Sequence, residues 1–112
     1  MQNRFFRGAL LVLLSLVSSQ VFGEAGWTSY AYVAELTSTN QFQYLVTLKV
    51  AENPSGCRSK SVFYQDHSAY GSEQMFQLLL EALSRGKRVR VYVTGNCELN
   101  GYSEISSVSI IP

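Results

Sequence analysis

Asp66, His67 and Ser68 stand side by side, and a Ser, His and Asp set invites a hydrolytic triad in which an imidazole takes the proton of a serine hydroxyl. That chemistry needs the base to touch the nucleophile while a third group orients it, and neighbours in sequence do not meet that geometry. The stretch Tyr64-Gln65-Asp66-His67-Ser68 therefore reads as a polar loop leading into a helix, and no catalytic residue is assigned. Glu98 and Glu104 are a nominal carboxylate pair, but nothing in their setting raises a pKa, and they read as solvated acids. His67 is the single histidine and no Cys-x-x-Cys spacing exists, so neither a metal nor a cofactor is expected.

The remaining chemistry is recognition. Arg88, Arg90 and Tyr92 alternate along one strand face, with Arg85 and Lys87 just before them. Such a face is commonly a solvated surface; as a site it suits an anionic glycan, a lipid headgroup or an acidic protein. Trp27, Tyr70 and Tyr102 fall at element boundaries, where rings are free to stack on sugars or anchor interfaces. Tyr30, Tyr32, Tyr44, Tyr64 and Tyr92 lie within strands, where β-propensity already accounts for them. The expected ligand-contacting set is Trp27, Arg88, Arg90, Tyr92 and Tyr102.

Arg4 and Arg7, the apolar run Ala9 to Val17, and the small residues that follow Ser18, Ser19 and Gln20 have the layout of a secretory signal peptide over residues 1–23, cleaved after Gly23 or Ala25. The rival reading, an uncleaved anchor, wants roughly 20 continuous apolar residues, more than twice this run. The processed protein is accordingly expected to be exported, periplasmic or secreted, and not membrane-spanning. Loss of residues 1–23 removes two of nine basic residues and none of eight acidic ones, so the formal net charge moves from +1 to −1. No global charge recruits nucleic acid. Cys57 and Cys97, an even pair in a small exported chain, read as a disulfide.

The elements that must position these residues follow from periodicity. Tyr30 to Leu36 and Phe42 to Val50 alternate with period two and form a hairpin across Thr37 to Gln41. Asn53, Pro54, Ser55 and Gly56 supply a turn, Ser61 to Gln65 a third strand, and Ser72 to Arg85 a helix with Ser72 as N-cap, Glu73 at its positive end and Gly86 at C′. Phe76, Leu79, Leu80 and Leu83 mark the core stripe. Met75, Leu78 and Ala82 widen the apolar arc to roughly 200°, twice what one core needs. The excess is seated deeply between barrel and loops, or Met75, Leu78 and Leu80 form an oligomer interface. Val89, Val91 and Val93 make a fourth strand. The last, Tyr102 to Ile111, changes phase between Ile105 and Val108, which a β-bulge near Ser106 and Ser107 repairs.

Residues 24–112 thus predict a single, mainly β domain with one helix, ordered strand, strand, strand, helix, strand, strand. That order fits an OB-fold-like five-stranded barrel; an open antiparallel sheet crossed by the helix and a cystatin-like arrangement are the alternatives. OB-folds bind on the second and third strands and on loops that here are Ser38 to Gln41 and Gly95 to Gly101. The segments Asn53-Pro54-Ser55-Gly56-Cys57, Phe63-Tyr64-Gln65-Asp66, Val89-Arg90-Val91-Tyr92-Val93-Thr94-Gly95-Asn96-Cys97 and Asn100-Gly101-Tyr102-Ser103-Glu104-Ile105 resemble a family of small exported bacterial proteins described as similar to the subtilase cytotoxin B subunit. The resemblance covers nearly the whole mature chain. It implies an OB-fold binding module rather than an enzyme, a glycan or protein ligand, and a ring of identical copies; no sugar-contacting residue is carried over from it.

Overall fold

A computed structural model describes residues 23–112. The expected signal peptide, apart from Gly23, lies outside the described residues. Six strands and one helix follow in chain order: β1 Gly26–Trp27, β2 Ala31–Ser38, β3 Gln43–Leu48, β4 Val62–Asp66, α1 Ser72–Arg85, β5 Arg88–Val93 and β6 Ser103–Ile111. The period-two stretches became strands within one or two residues of their expected ends. The added element is β1, too short to show a period.

The strands close on themselves. β2 pairs with β3 and β3 with β4, both antiparallel; β4 runs parallel to β6, which is antiparallel to β5, and β5 returns to β2. Five strands in that cyclic order, with the helix between the third and fourth, make the OB-fold-like barrel and exclude the open sheet. Closure leaves no long edge on which another chain could add a strand. The side chains of one parity fill the interior: Val46, Leu48, Phe63, Val89, Val91 and Ile105 are essentially without solvent contact, and Leu79 of α1 plugs the barrel from one end. Each such side chain contributes about 1.5–3 kcal/mol by leaving water.

Two irregularities keep the parity right. In β6, Tyr92 faces Ser107 while Val93 faces Ile105, so Ser106 is the extra residue, and Ile105 and Val108 both turn inward as the phase change requires. In β2, Val33 faces Leu48 and Glu35 faces Thr47, which leaves Ala34 as a second bulge and both Ala34 and Glu35 exposed.

The helix differs from expectation in two respects. Ser72 is its first residue rather than its cap: Gly71 takes the cap position in the left-handed region (φ 77°), and the Ser72 hydroxyl lies 3.3 Å from both the His67 carbonyl and Nδ1. The chain must turn sharply between β4 and the helix, and only glycine makes that turn without strain. At the other end Gly86 adopts φ 64° and donates its N–H to the Ala82 carbonyl, as the C′ reading requires. The buried stripe is also rotated. Leu79 and Ala82 are buried with Phe76 packed against the core, whereas Leu80 and Leu83 remain 41% and 40% exposed. The wide apolar arc is therefore left partly open to solvent rather than seated.

Cys57 and Cys97 form a disulfide, S–S 1.99 Å, between residues 40 apart. It joins the turn before β4 to the loop after β5. Around it Asn53 Oδ1 accepts the Ser55 N–H, and Asn53 Nδ2 donates to the Lys60 carbonyl and the Ser103 hydroxyl. The fully buried Ser55 and Ser103 hydroxyls lie 2.8 Å apart. Disulfides persist in oxidising compartments, and this one marks the domain as non-cytoplasmic in type. Among the described residues no helix is long and apolar enough to cross a membrane.

Candidate functional site

The outward parity of β5 carries Arg88, Arg90 and Tyr92, and its two neighbours complete a grid around it. On the β6 side the register sets Ile111 against Arg88, Ser109 against Arg90 and Ser107 against Tyr92. On the other side Tyr32 of β2 faces Arg88 and Trp27 of β1 faces Tyr92. Directly opposite residues share a face, so these side chains stand on one outer surface.

The middle row depends on a third bulge. Trp27 pairs with Tyr92 and Ala31 with Val89, so the segment between them has one residue more than β5 offers, and Ser29 and Tyr30 both stand opposite Arg90. Thr28 makes this tolerable. Its N–H donates to the Val91 carbonyl (2.9 Å), while its Oγ1 accepts the Val91 N–H (3.2 Å) and donates to the Ser29 carbonyl (2.9 Å). A side-chain oxygen thus replaces a missing ladder acceptor. Ser29 fastens the kink to the next loop, its Oγ accepting the N–H groups of Ala51 and Glu52 at 2.9 and 3.0 Å. The bulge flips the parity, so that Trp27, Tyr30 and Tyr32 all point outward.

Two rings consequently gather at one guanidinium, and a third packs on one of them. The Arg90 Cζ lies 4.4 Å from the Trp27 ring centroid and 5.1 Å from that of Tyr30. Tyr92 meets Trp27 edge-on at 5.4 Å. Arg90 Nε is buried without a hydrogen-bond partner, and among the described residues Arg90 has no ion pair. Trp27, Tyr30 and Tyr32 nevertheless expose 40%, 37% and 61% of their surface. Beside Trp27 lies an open groove of about 380 Å³ lined also by Glu52, Pro54 and Lys60.

Of the five expected ligand-contacting residues, the structure brings Trp27, Arg90 and Tyr92 into direct contact and sets Arg88 in the adjoining row. Tyr102 is elsewhere: its N–H closes a turn onto the Leu99 carbonyl, five residues before Ser107 and roughly 16 Å along the strand direction, at the disulfide end. Tyr30 and Tyr32 also belong to the face, beyond the set the sequence predicts. Their shared parity with Arg88 and Arg90 across a strand pair was the available signal, but pairing of the first and fourth long strands had to be known first. Of the three helix residues, Leu78 and Leu80 line an open groove of about 550 Å³ with Gln74, Gln77, Glu81 and Ser84. Met75 instead turns inward, and its Sδ receives the Gln65 Nε2–H at 3.4 Å.

Asp66 and Ser68 bond directly to each other, while the His67 ring nitrogen Nδ1 lies beside the Ser72 hydroxyl, so no imidazole stands between acid and hydroxyl. Asp66 Oδ1 accepts the N–H (2.9 Å) and hydroxyl (2.8 Å) of Ser68, and the Ser68 N–H, first, with that hydroxyl holds the carboxyl below its ordinary pKa. His67 leans on Tyr44 and Phe76, with ring centroids 5.3 and 6.1 Å away. Beneath it, buried Tyr44 donates to Gln65 Oε1 (2.8 Å), and Gln65 Nε2 donates to the Ile105 carbonyl (3.0 Å). Burial pushes the Tyr44 phenol far above its usual pKa. No group of three His, Cys, Asp or Glu side chains suited to a metal ion occurs among the described residues.

By strand order and helix position the chain is an OB-fold-like barrel bearing an aromatic and basic outer face. Comparison with models of known families, with curated proteins and with solved structures finds no match.

Proposed function

We propose that the chain is an exported, non-enzymatic binding module that presents the face built on Arg88, Arg90 and Tyr92 to a glycan or to a protein of the cell surface or envelope. The observation that carries this reading is the Arg90 guanidinium lying against Trp27 and Tyr30 on the solvent side, without a counter-ion among the described residues. A fold seldom gathers three rings and an unpaired cation outside its core for stability alone, because exposed aromatic surface is better buried. The disulfide supports an oxidising destination, and the layout of Arg4, Arg7 and the apolar run supports a cleaved leader. The resemblance to toxin B subunits supports binding rather than catalysis. The test is a glycan array and an envelope pull-down with the oxidised mature domain: Trp27→Ala and Arg90→Gln should abolish whatever binding is found. Binding that survives both changes refutes this face as the site. Intact mass of the processed protein should place its first residue at Glu24 or Gly26.

A second reading rests on the helix. Leu80 and Leu83 are exposed and Leu78 lines a groove, so α1 offers an apolar surface to a partner or to another copy of the chain. The protein then acts as a small structural or inhibitory envelope protein, or as a homo-oligomer. Light scattering on the mature domain distinguishes these: association lost in Leu80→Asp, with the monomer still folded, favours the helix face. A monomer at all concentrations speaks against self-assembly.

A further inference from the structure

The guanidinium of Arg90 has only one direction left in which to act. Trp27 and Tyr30 lie against it, their ring centroids 4.4 and 5.1 Å from Cζ, and its root nitrogen, Nε, is buried without a partner. The two terminal nitrogens make no hydrogen bond among the described residues and are not among the buried orphans, so they face solvent as an open fork. A guanidinium fork flanked by rings receives a planar group with two acceptors lying in its own plane, and a carboxylate has that shape and charge. Lysine, a point charge, would not need the rings.

Arg88 offers a second guanidinium one step along. It is exposed, two residues away on the same strand face, and so displaced by about 6.6 Å. Carboxylates on alternate residues of an extended polypeptide recur at that same interval, whichever way the segment runs. On the β6 side Ser109 stands beside Arg90 and Ser107 beside Tyr92, and their hydroxyls are offered to the segment's backbone groups. A sugar, by contrast, stacks on a free ring face. At the anchor Trp27 is engaged by Arg90 and by Tyr92, and Tyr30 by Arg90, which leaves Tyr32, in the row of Arg88, as the open ring of the face. Trp, Tyr and Arg clustered at one place are also the composition of protein–protein hot spots.

We infer that the ligand of this face is an extended acidic segment of a partner protein, with acidic side chains at alternate positions on Arg90 and Arg88 and with Arg90 as the anchor. The inference rests on the proposed reading of the face as the binding surface and narrows its ligand to a carboxylate-bearing polypeptide.

Trp27 is the only tryptophan of the chain, so its fluorescence reports from the site itself. The probes are an array of blocked nine-residue peptides carrying Glu at no position, one position, two adjacent or two alternate positions, together with polygalacturonate as a carboxylate-bearing glycan. Peptides with alternate Glu should bind, perturb Trp27 emission, weaken as salt rises, and lose tenfold or more when Glu is replaced by Gln. Arg90→Lys should lose tenfold or more with the fold intact by circular dichroism, and Arg88→Gln less. Equal binding of Glu and Gln peptides, still sensitive to Trp27→Ala, overturns the carboxylate inference and leaves the face in place. Response to polygalacturonate without any peptide response makes the ligand a glycan, with the same consequence. If peptides and polygalacturonate alike leave Trp27 emission unchanged, the inference fails. If, in addition, ligands from the glycan array and pull-down are indifferent to Trp27→Ala and Arg90→Gln, the reading of the face fails with it.

Discussion

Thr28→Val removes one oxygen and replaces it with a methyl group of nearly the same size, at a side chain only 4% exposed. The hydroxyl accepts the buried Val91 N–H, and no other acceptor stands on that edge of β5 because the bulge has displaced the next backbone carbonyl. Leaving a buried N–H unpaired costs about 1–3 kcal/mol, and burying the added methyl returns about 0.8 kcal/mol. The expected net loss is about 0.2–2.2 kcal/mol, which in a domain of this size lowers Tm by roughly 1–18 °C. Thermal unfolding of the oxidised domain, followed by circular dichroism, gives the global figure. Amide exchange gives the local one: Val91 should exchange faster while Val89 and Val93 stay protected. The bulge also aims Tyr30 at Arg90, so Trp27 emission should shift before the protein unfolds. Unchanged stability together with unchanged Val91 exchange would refute the role assigned to this hydroxyl.

Tyr44 is neutral when folded and its pKa is raised from 10.0 by burial, so the folded state holds its proton after the unfolded chain has released it. Stability should accordingly be complete below pH 10 and fall above it at up to about 1.4 kcal/mol per pH unit, and Tyr44→Phe should flatten that alkaline loss in denaturation curves. The same substitution leaves Gln65 Oε1 without its donor and should cost about 1–3 kcal/mol at neutral pH. Replacing both Cys57 and Cys97 by Ser opens a loop spanning 40 residues and should lower unfolding stability by about 4 kcal/mol in urea titrations. Phe42 lies in the left-handed region (φ 59°) and is 75% exposed at the β2–β3 turn, so Phe42→Asn should raise Tm, a gain of about 1 kcal/mol from relieved backbone strain.

The barrel was legible because most of its strands are amphipathic. Val89, Val91 and Val93 alternate with Arg88, Arg90 and Tyr92, and the phase change between Ile105 and Val108 announced the Ser106 bulge. Glu73, Arg85 and Gly86 marked the helix. What stayed hidden depends on long-range partners. Trp27 to Tyr30 carries no period, since its conformation is set by Val91 and by the Ala51–Glu52 loop rather than by its own sequence. The helix has more apolar positions than its contact with the barrel uses, so periodicity alone did not choose which leucines turn inward. Ser72 is a good cap by type, yet the tight turn from β4 needed a glycine there. The face was half visible: its arginines lie on one strand with a clear pattern, whereas the rings that stack on Arg90 arrive from β1 and the bulge.

The cyclic strand order has a kinetic consequence. β2 can zip against β3 as soon as the hairpin between them exists, but its other edge waits for β5, and β5 and β4 are joined only through β6, the last strand in chain order. Until β6 arrives, the hairpin and β4 form a sheet with an open side and no helix plug. Such non-local closure is slow, on the order of milliseconds to seconds for small β-barrels. A chain built this way completes its fold only once β6 has paired with both β4 and β5, so the Ser107 and Ser109 side of the Arg90 face is set in the last step of closure.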